Sequence, residues 1–140
     1  MNKILTAGLE SRFYGLENRV CRKAQKILKI LKKDGFRAEI YLIGNGKMRI
    51  LNKKFRHKDK ATDILSFLEP KNFPHPENGK PKLKIKPIGE VYLNMDKIKD
   101  QETEAYLLIH GLLHLLGYDH KRENDRIKME KKEQQTFKFL

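Results

Sequence analysis

The sequence predicts a single domain of the α/β or α+β class, with helices and short strands built around one sheet. Three observations carry that reading. Apolar residues recur at helical spacing in several stretches, other stretches alternate or run apolar as strands do, and 140 residues suits one core. Leu16, Val20, Ala24, Ile27, Leu28 and Leu31 fall on one face of a helix from Leu16 to Lys33, which Asp34-Gly35 closes. Ala38 to Ile43 alternates and then turns apolar, as a strand does. Gly44-Asn45-Gly46 reads as a turn, and Met48, Leu51 and Phe55 mark a short helix after it. Asp63 to Leu68 is a second strand, and Ile88 to Leu93 a third with Val91 and Leu93 on one face. Asp100 or Thr103 caps a helix from Glu102 to Leu116. A charged helix from Glu123 to Phe137 ends the chain, packing through Ile127, Met129 and Phe137. A helix separates the first two strands, which permits a parallel pair, while the third follows a long connection and is open to antiparallel pairing.

That connection runs from Glu69 to Pro87 and holds all five prolines, alternating with Lys71, Lys80, Lys82, Lys84 and Lys86. Proline at this density forbids a helix and discourages a central strand. The segment is a surface excursion or a flap that touches a substrate. Lys82 to Lys86 alternates in the manner of an edge strand.

Composition narrows the function classes. Apolar residues make up 39% and charged residues 35%, and no run is long enough to cross a membrane. The first residues lack the apolar stretch of a signal peptide, and Cys21 is the single cysteine, so no internal disulfide forms. A cytoplasmic protein with no membrane partner is the expectation, and Cys21 reads as a core or boundary residue. Thirty-one basic residues face 18 acidic ones, giving a net charge of +13. An excess of one sign favours polyanionic partners, nucleic acid first. There is no Gly-rich phosphate loop and no cysteine metal box.

The chemistry concentrates in the run Ile109-His110-Gly111-Leu112-Leu113-His114-Leu115-Leu116-Gly117-Tyr118-Asp119-His120. It holds three of the chain's five histidines. His110 and His114 share one helix face, Gly117 can end that helix in a left-handed turn, and the returning chain brings His120 to the same point. Three nitrogen ligands around an open position is the layout of a catalytic zinc site. The spacing matches the metzincin frame H-E-x-x-H-x-x-G-x-x-H, except that Gly111 stands where those proteases carry their general base. The cage is kept and the peptidase's base is gone, which leaves a metal hydrolase of another kind or a structural metal site.

A second dense region runs from Asn52 to Phe67 and places Arg56, Lys58 and Lys60 on a loop between a helix and a strand. Arginine offers a planar fork of donors suited to phosphate oxygens. Taken together, the two regions resemble the YbeY family of bacterial endoribonucleases. The histidine run matches that family's HGxLHLxGYDH signature at every specified position. The Asn52-to-Phe67 run is similar to its second motif, an arginine ahead of a Thr-Asp-(Val/Ile)-Leu-Ser-Phe strand. Met129, Glu130 and Glu133 resemble its C-terminal helix. The resemblance spans Ala38 to Glu133. Three places depart from the family's usual residues: Glu90 stands for Asp in Gly89-Glu90-Val91, Ala61 for a Pro before Thr62, and Leu68 for a Pro after Phe67.

The resemblance implies a compact α/β fold: a small mixed four-stranded sheet packed with about five helices, and a metzincin-like metal site. It implies one zinc-like ion per chain on His110, His114 and His120, and an important arginine at Arg56. It also implies metal-dependent cleavage of single-stranded RNA, with roles in maturing the small-subunit ribosomal RNA and in ribosome quality control. Ribosomal RNA, the ribosome or a small-subunit precursor are the implied partners, and Lys58, Lys60, Lys82 and Lys84 the expected RNA contacts. Asp119 and Glu90 are candidates for moving protons, and Asp63 for orienting a ligand. Two other readings stay open: a non-catalytic RNA- or ribosome-binding assembly factor with a structural metal, and a metallopeptidase-like hydrolase.

Overall fold

The two most buried strands lie at the centre of the sheet. In the computed structural model, which describes residues 1–70 and 85–140, the strands are β1 (Lys3–Gly8), β2 (Phe36–Ile43), β3 (Ile64–Leu68) and β4 (Lys86–Asn94). Their order across the sheet is β1-β2-β4-β3. β1 and β4 each run parallel to β2, and β3 closes the other edge antiparallel to β4. The two strands expected to be free to pair in parallel, β2 and β3, are therefore separated by β4. The third strand satisfies both alternatives at once, parallel to one neighbour and antiparallel to the other. Lys82 and Lys84, with most of the proposed edge strand, lie outside the described residues; Lys86 begins β4.

Among the described residues four α-helices accompany the sheet, α1 (Glu17–Ile30), α2 (Asn45–Arg56), α3 (Gln101–Leu115) and α4 (Glu123–Lys138), with two short 3-10 turns at Ser11–Leu16 and Met95–Lys97. Helices α1 and α3 cover one face. Their Val20, Ala24, Ile27, Leu28, Leu108, Ile109 and Leu112 pack against Ile40, Leu42, Val91 and Leu93, all buried. Each fully buried side chain of this size contributes roughly 1.5–3 kcal/mol. Helix α2 covers part of the other face through Met48, which meets Ile43 and Leu65. Glu104, 1% exposed, ties α3 to α1 by accepting hydrogen bonds from Arg19 and Lys23.

Some boundaries differ from expectation for identifiable reasons. β1 leaves little trace in the sequence. It is an edge strand whose Leu5 is exposed while Ile4 packs inward, so the alternating signal is weak in Lys3–Gly8. Asn45 and Gly46 belong to α2 rather than to a turn: Gly44 is the N-cap, and its carbonyl accepts the Met48 N–H at 3.0 Å. Asp100, not Thr103, caps α3, its carboxylate accepting the Thr103 N–H at 2.7 Å. Ile127 is exposed, and α4 seats instead through Met129, Thr136 and Phe137, whose ring stacks on Tyr106 at 4.2 Å. Cys21 is half-buried and approaches the Ile4 carbonyl.

Candidate metal centre

The site begins with how α3 ends. After Leu115 the Gly117 N–H bonds the His114 carbonyl and the Tyr118 N–H reaches back to Leu113, both at 3.0 Å. This paired closure needs a left-handed residue between helix and exit strand, and Gly117 supplies it with φ +103°. The chain turns back over the last helical turn and delivers His120 beside His110 and His114. Gly117→Ala is expected to lose about 1–2 kcal/mol from backbone strain, because a Cβ there meets nothing within 4 Å. Urea denaturation of the two proteins measures this difference.

The three imidazoles converge. One ring nitrogen from each lies within 4.8 Å of the others. Ring centroids are 4.7 Å apart for His110 and His114, 4.9 Å for His114 and His120, and 5.8 Å for His110 and His120. His110 and His114 are half-buried and His120 is exposed, so the cluster opens to solvent on one side. Burial, reinforced by the two neighbouring imidazoles, pushes His114 below its ordinary value, so its ring is neutral at pH 7 and has a nitrogen lone pair to offer. Glu133 of α4 lies 3.0 Å from His110 Nδ1. That contact occupies one ring nitrogen and leaves Nε2 as the donor, the usual carboxylate support of a ligating histidine. Sequence reasoning had offered Asp63 for such a role, but Asp63 is exposed and its backbone carbonyl serves Asn94. The sequence signal for Glu133 was its place in the α4 motif, which only the packing of α4 on α3 turns into a contact. This donor set fits a borderline ion such as zinc, with three imidazole nitrogens, close convergence and an open side. Glu133→Ala is expected to keep the fold and weaken zinc binding by about 10- to 100-fold, read by competition with a chromophoric chelator.

Gly111 faces away from this centre. A Cβ there would stand 2.9 Å from Ile64 Cδ1 and 3.1 Å from both Val91 methyls, so α3 rests on the sheet at this point. The position that carries a protease's base is here a helix-to-sheet contact, which removes the peptidase reading's catalytic group. Gly111→Glu is therefore expected to fold poorly, with at least about 3 kcal/mol lost to overpacking and an unpaired buried carboxylate, and to gain no peptidase activity. Thermal melting and a casein assay test the two halves.

The histidines line one wall of a cleft of about 570 Å³. Arg56, at the end of α2, lines the same cleft together with residues of β3. Its guanidinium donates to the Ser66 carbonyl at 3.0 Å on the free edge of β3 and lies 5.1 Å from the Phe67 ring centroid. Asn52, 2% exposed, holds the following loop by donating to the Lys60 carbonyl at 2.8 Å. Asn94, fully buried, donates to Asn45 Oδ1 and to the Thr62 carbonyl and fixes the start of β3. Lys58 and Lys60 stay on the exposed loop outside the cleft lining, whereas Lys121, which the sequence reading missed, lines the cleft one residue after His120. Asp119 also lines it, its carboxylate accepting the Lys121 N–H. Glu90 does not. It alternates with Val91 and so faces the opposite side of the sheet, where it accepts the Tyr92 hydroxyl at 3.1 Å. Burial raises its carboxyl above the ordinary value, Glu39 and Glu69 add to that, and the Tyr92 hydroxyl opposes it.

Similarity to known proteins follows the same outline. A solution structure of a Thermotoga maritima protein superposes with a TM-score of 0.56 at 23% identity, covering 97% of this chain and 90% of that one, which is a likeness of fold. A Myxococcus xanthus protein named Endoribonuclease YbeY is 37% identical over 124 residues, 80% of this chain and 39% of that protein's length. A Thermoanaerobacter protein of the same name is 33% identical over 120 residues, 76% of either chain. The chain thus spans about three-quarters of the second relative but well under half of the first. The family described as Endoribonuclease YbeY matches residues 8–140, a span holding the three histidines, Arg56 and Glu133, and the chain belongs to that family.

Proposed function

We propose that this protein is a metal-dependent endoribonuclease that cuts single-stranded RNA. The observation that carries the reading is the meeting of three convergent imidazoles and a guanidinium across one open cleft. The names of its relatives and the net charge of +13 support RNA as the substrate. His110, His114 and His120 hold one zinc ion per chain. When bound, the ion supplies Lewis-acidic positive charge beside the scissile phosphate. Glu133 fixes the His110 ring so that its free nitrogen points into the cleft. Arg56 binds the phosphate through its planar fork and neutralises charge that develops as an oxygen attacks in line. Lys121 holds the neighbouring backbone. Of the two carboxylates weighed for proton transfer, Asp119 lines the cleft and Glu90 does not.

The family resemblance extends the proposal to maturation of the small-subunit ribosomal RNA and to ribosome quality control in the cytoplasm. No helix among the described residues is long and apolar enough to cross a membrane, which is compatible with that setting. The test is cleavage of a defined single-stranded RNA and its duplex by purified, zinc-loaded protein. Cutting of the single strand alone is expected. Tight RNA binding without any cleavage would instead identify a non-catalytic assembly factor.

A further inference from the structure

We propose that RNA leaving the histidine centre follows a second, lysine-lined track that ends on α1, so that substrate is gripped well away from the scissile phosphate. This rests on the RNA-cleaving reading and deepens it. The histidine cleft and a neighbouring groove of about 620 Å³ share two residues of their walls, Leu68 and Gly117, so the two lie side by side. Lys33 and Lys86 also line that groove. Lys33 in turn borders a shallow surface carrying Lys29 and Lys32. All four lysines are exposed, and among the described residues none has a carboxylate partner within salt-bridge distance. Two acids accompany them: Glu69 in the groove, and Asp34, which is already paired with the N-terminal amine.

The backbone that presents these lysines is held in place. Asn2 donates to the Lys33 carbonyl at 2.8 Å and accepts the Phe36 N–H at 2.9 Å. The Lys86 N–H bonds the Gly35 carbonyl at 2.7 Å, which seats the start of β4 beside the turn after α1. Two cations carried on anchored backbone in one open groove suit a polyanionic strand, since less of the backbone must be ordered on binding. Phe36 lines the groove between them and offers an apolar surface to a base.

The experiment compares two single-stranded RNAs, one just long enough to fill the histidine cleft and one several times longer. Binding is measured across a salt series in a non-cleaving His114→Ala background. Lys33→Glu/Lys86→Glu is expected to weaken the long RNA by about tenfold or more and to reduce its salt slope by about one to two, while the short RNA binds as before. The control reverses Lys47 and Lys97, exposed lysines at the opposite end of β2 and β4, and is expected to leave both affinities near the starting value. Unchanged affinity for the long RNA in Lys33→Glu/Lys86→Glu, or an equal loss in the control, would overturn the track and leave the nuclease reading standing. If the starting protein binds neither RNA, both fall. Circular dichroism and melting of each variant verify that the charge reversals leave the fold intact.

Discussion

Replacing His114 by alanine is expected to abolish stoichiometric zinc and RNA cleavage together while leaving the metal-free fold intact. His114 is the middle of the three donors, 4.7 Å and 4.9 Å by ring centroids from the other two. Without it, two nitrogens remain, one of them on exposed His120. Disturbing a mere supporting group costs about 10- to 100-fold in metal affinity, so removing a ligand should exceed about 100-fold. The fold has little reason to respond. The ring is half-buried at the rim of an open cleft, and its proton affinity is lowered by burial and by its two neighbours, so it brings no favourable ion pair to the metal-free state. Metal analysis after dialysis, a melting curve and a cleavage assay on the same sample separate these effects. A variant that retains one zinc per chain would show that His114 is not a ligand.

Arg56→Ala is the second large effect. The variant is expected to keep its zinc and lose about 10²- to 10³-fold in kcat, the size of effect seen when one preorganised donor to a developing oxyanion is removed. The structural cost is small. The lost contacts are one hydrogen bond to the Ser66 carbonyl and a stacking contact on Phe67, both at an exposed edge, together worth about 1 kcal/mol. Arg56→Lys keeps the charge but not the planar fork, and should recover only part of the rate. Single-turnover cleavage with saturating protein reads the chemical step directly. A wild-type rate for Arg56→Ala would remove Arg56 from the mechanism.

The legibility of this molecule in its sequence depends on range. His110, His114, Gly117 and His120 are within one helix and its closing turn, so spacing alone specifies their convergence. Glu133 and Lys121 needed the placement of α4 and of the chain after Gly117. Gly111 shows the gain from structure most clearly. As sequence it was a missing base; in the fold it is the point where α3 touches Ile64 and Val91. Glu90 and Val91 are adjacent in sequence yet serve opposite faces, and only the sheet register says which face holds the cleft. The strand order resisted reading for a related reason: β4 enters between β2 and β3 after a long connection, and local patterning carries no trace of insertion. Lys58 and Lys60 lie on an exposed basic loop beside the cleft rather than in its wall, a distinction that spacing in the sequence does not carry.

The central claim is that the ion held by the histidines is required for cutting RNA. The direct measurement is single-turnover cleavage of one labelled single-stranded RNA by metal-stripped protein, before and after adding back one equivalent of zinc, with His114→Ala carried through the same steps as the guard against contaminating ribonuclease. No cleavage by stripped protein is expected, with recovery on adding zinc in the wild type and none in His114→Ala. Full cleavage by the stripped wild type, or zinc-restored cleavage by His114→Ala, would contradict that claim.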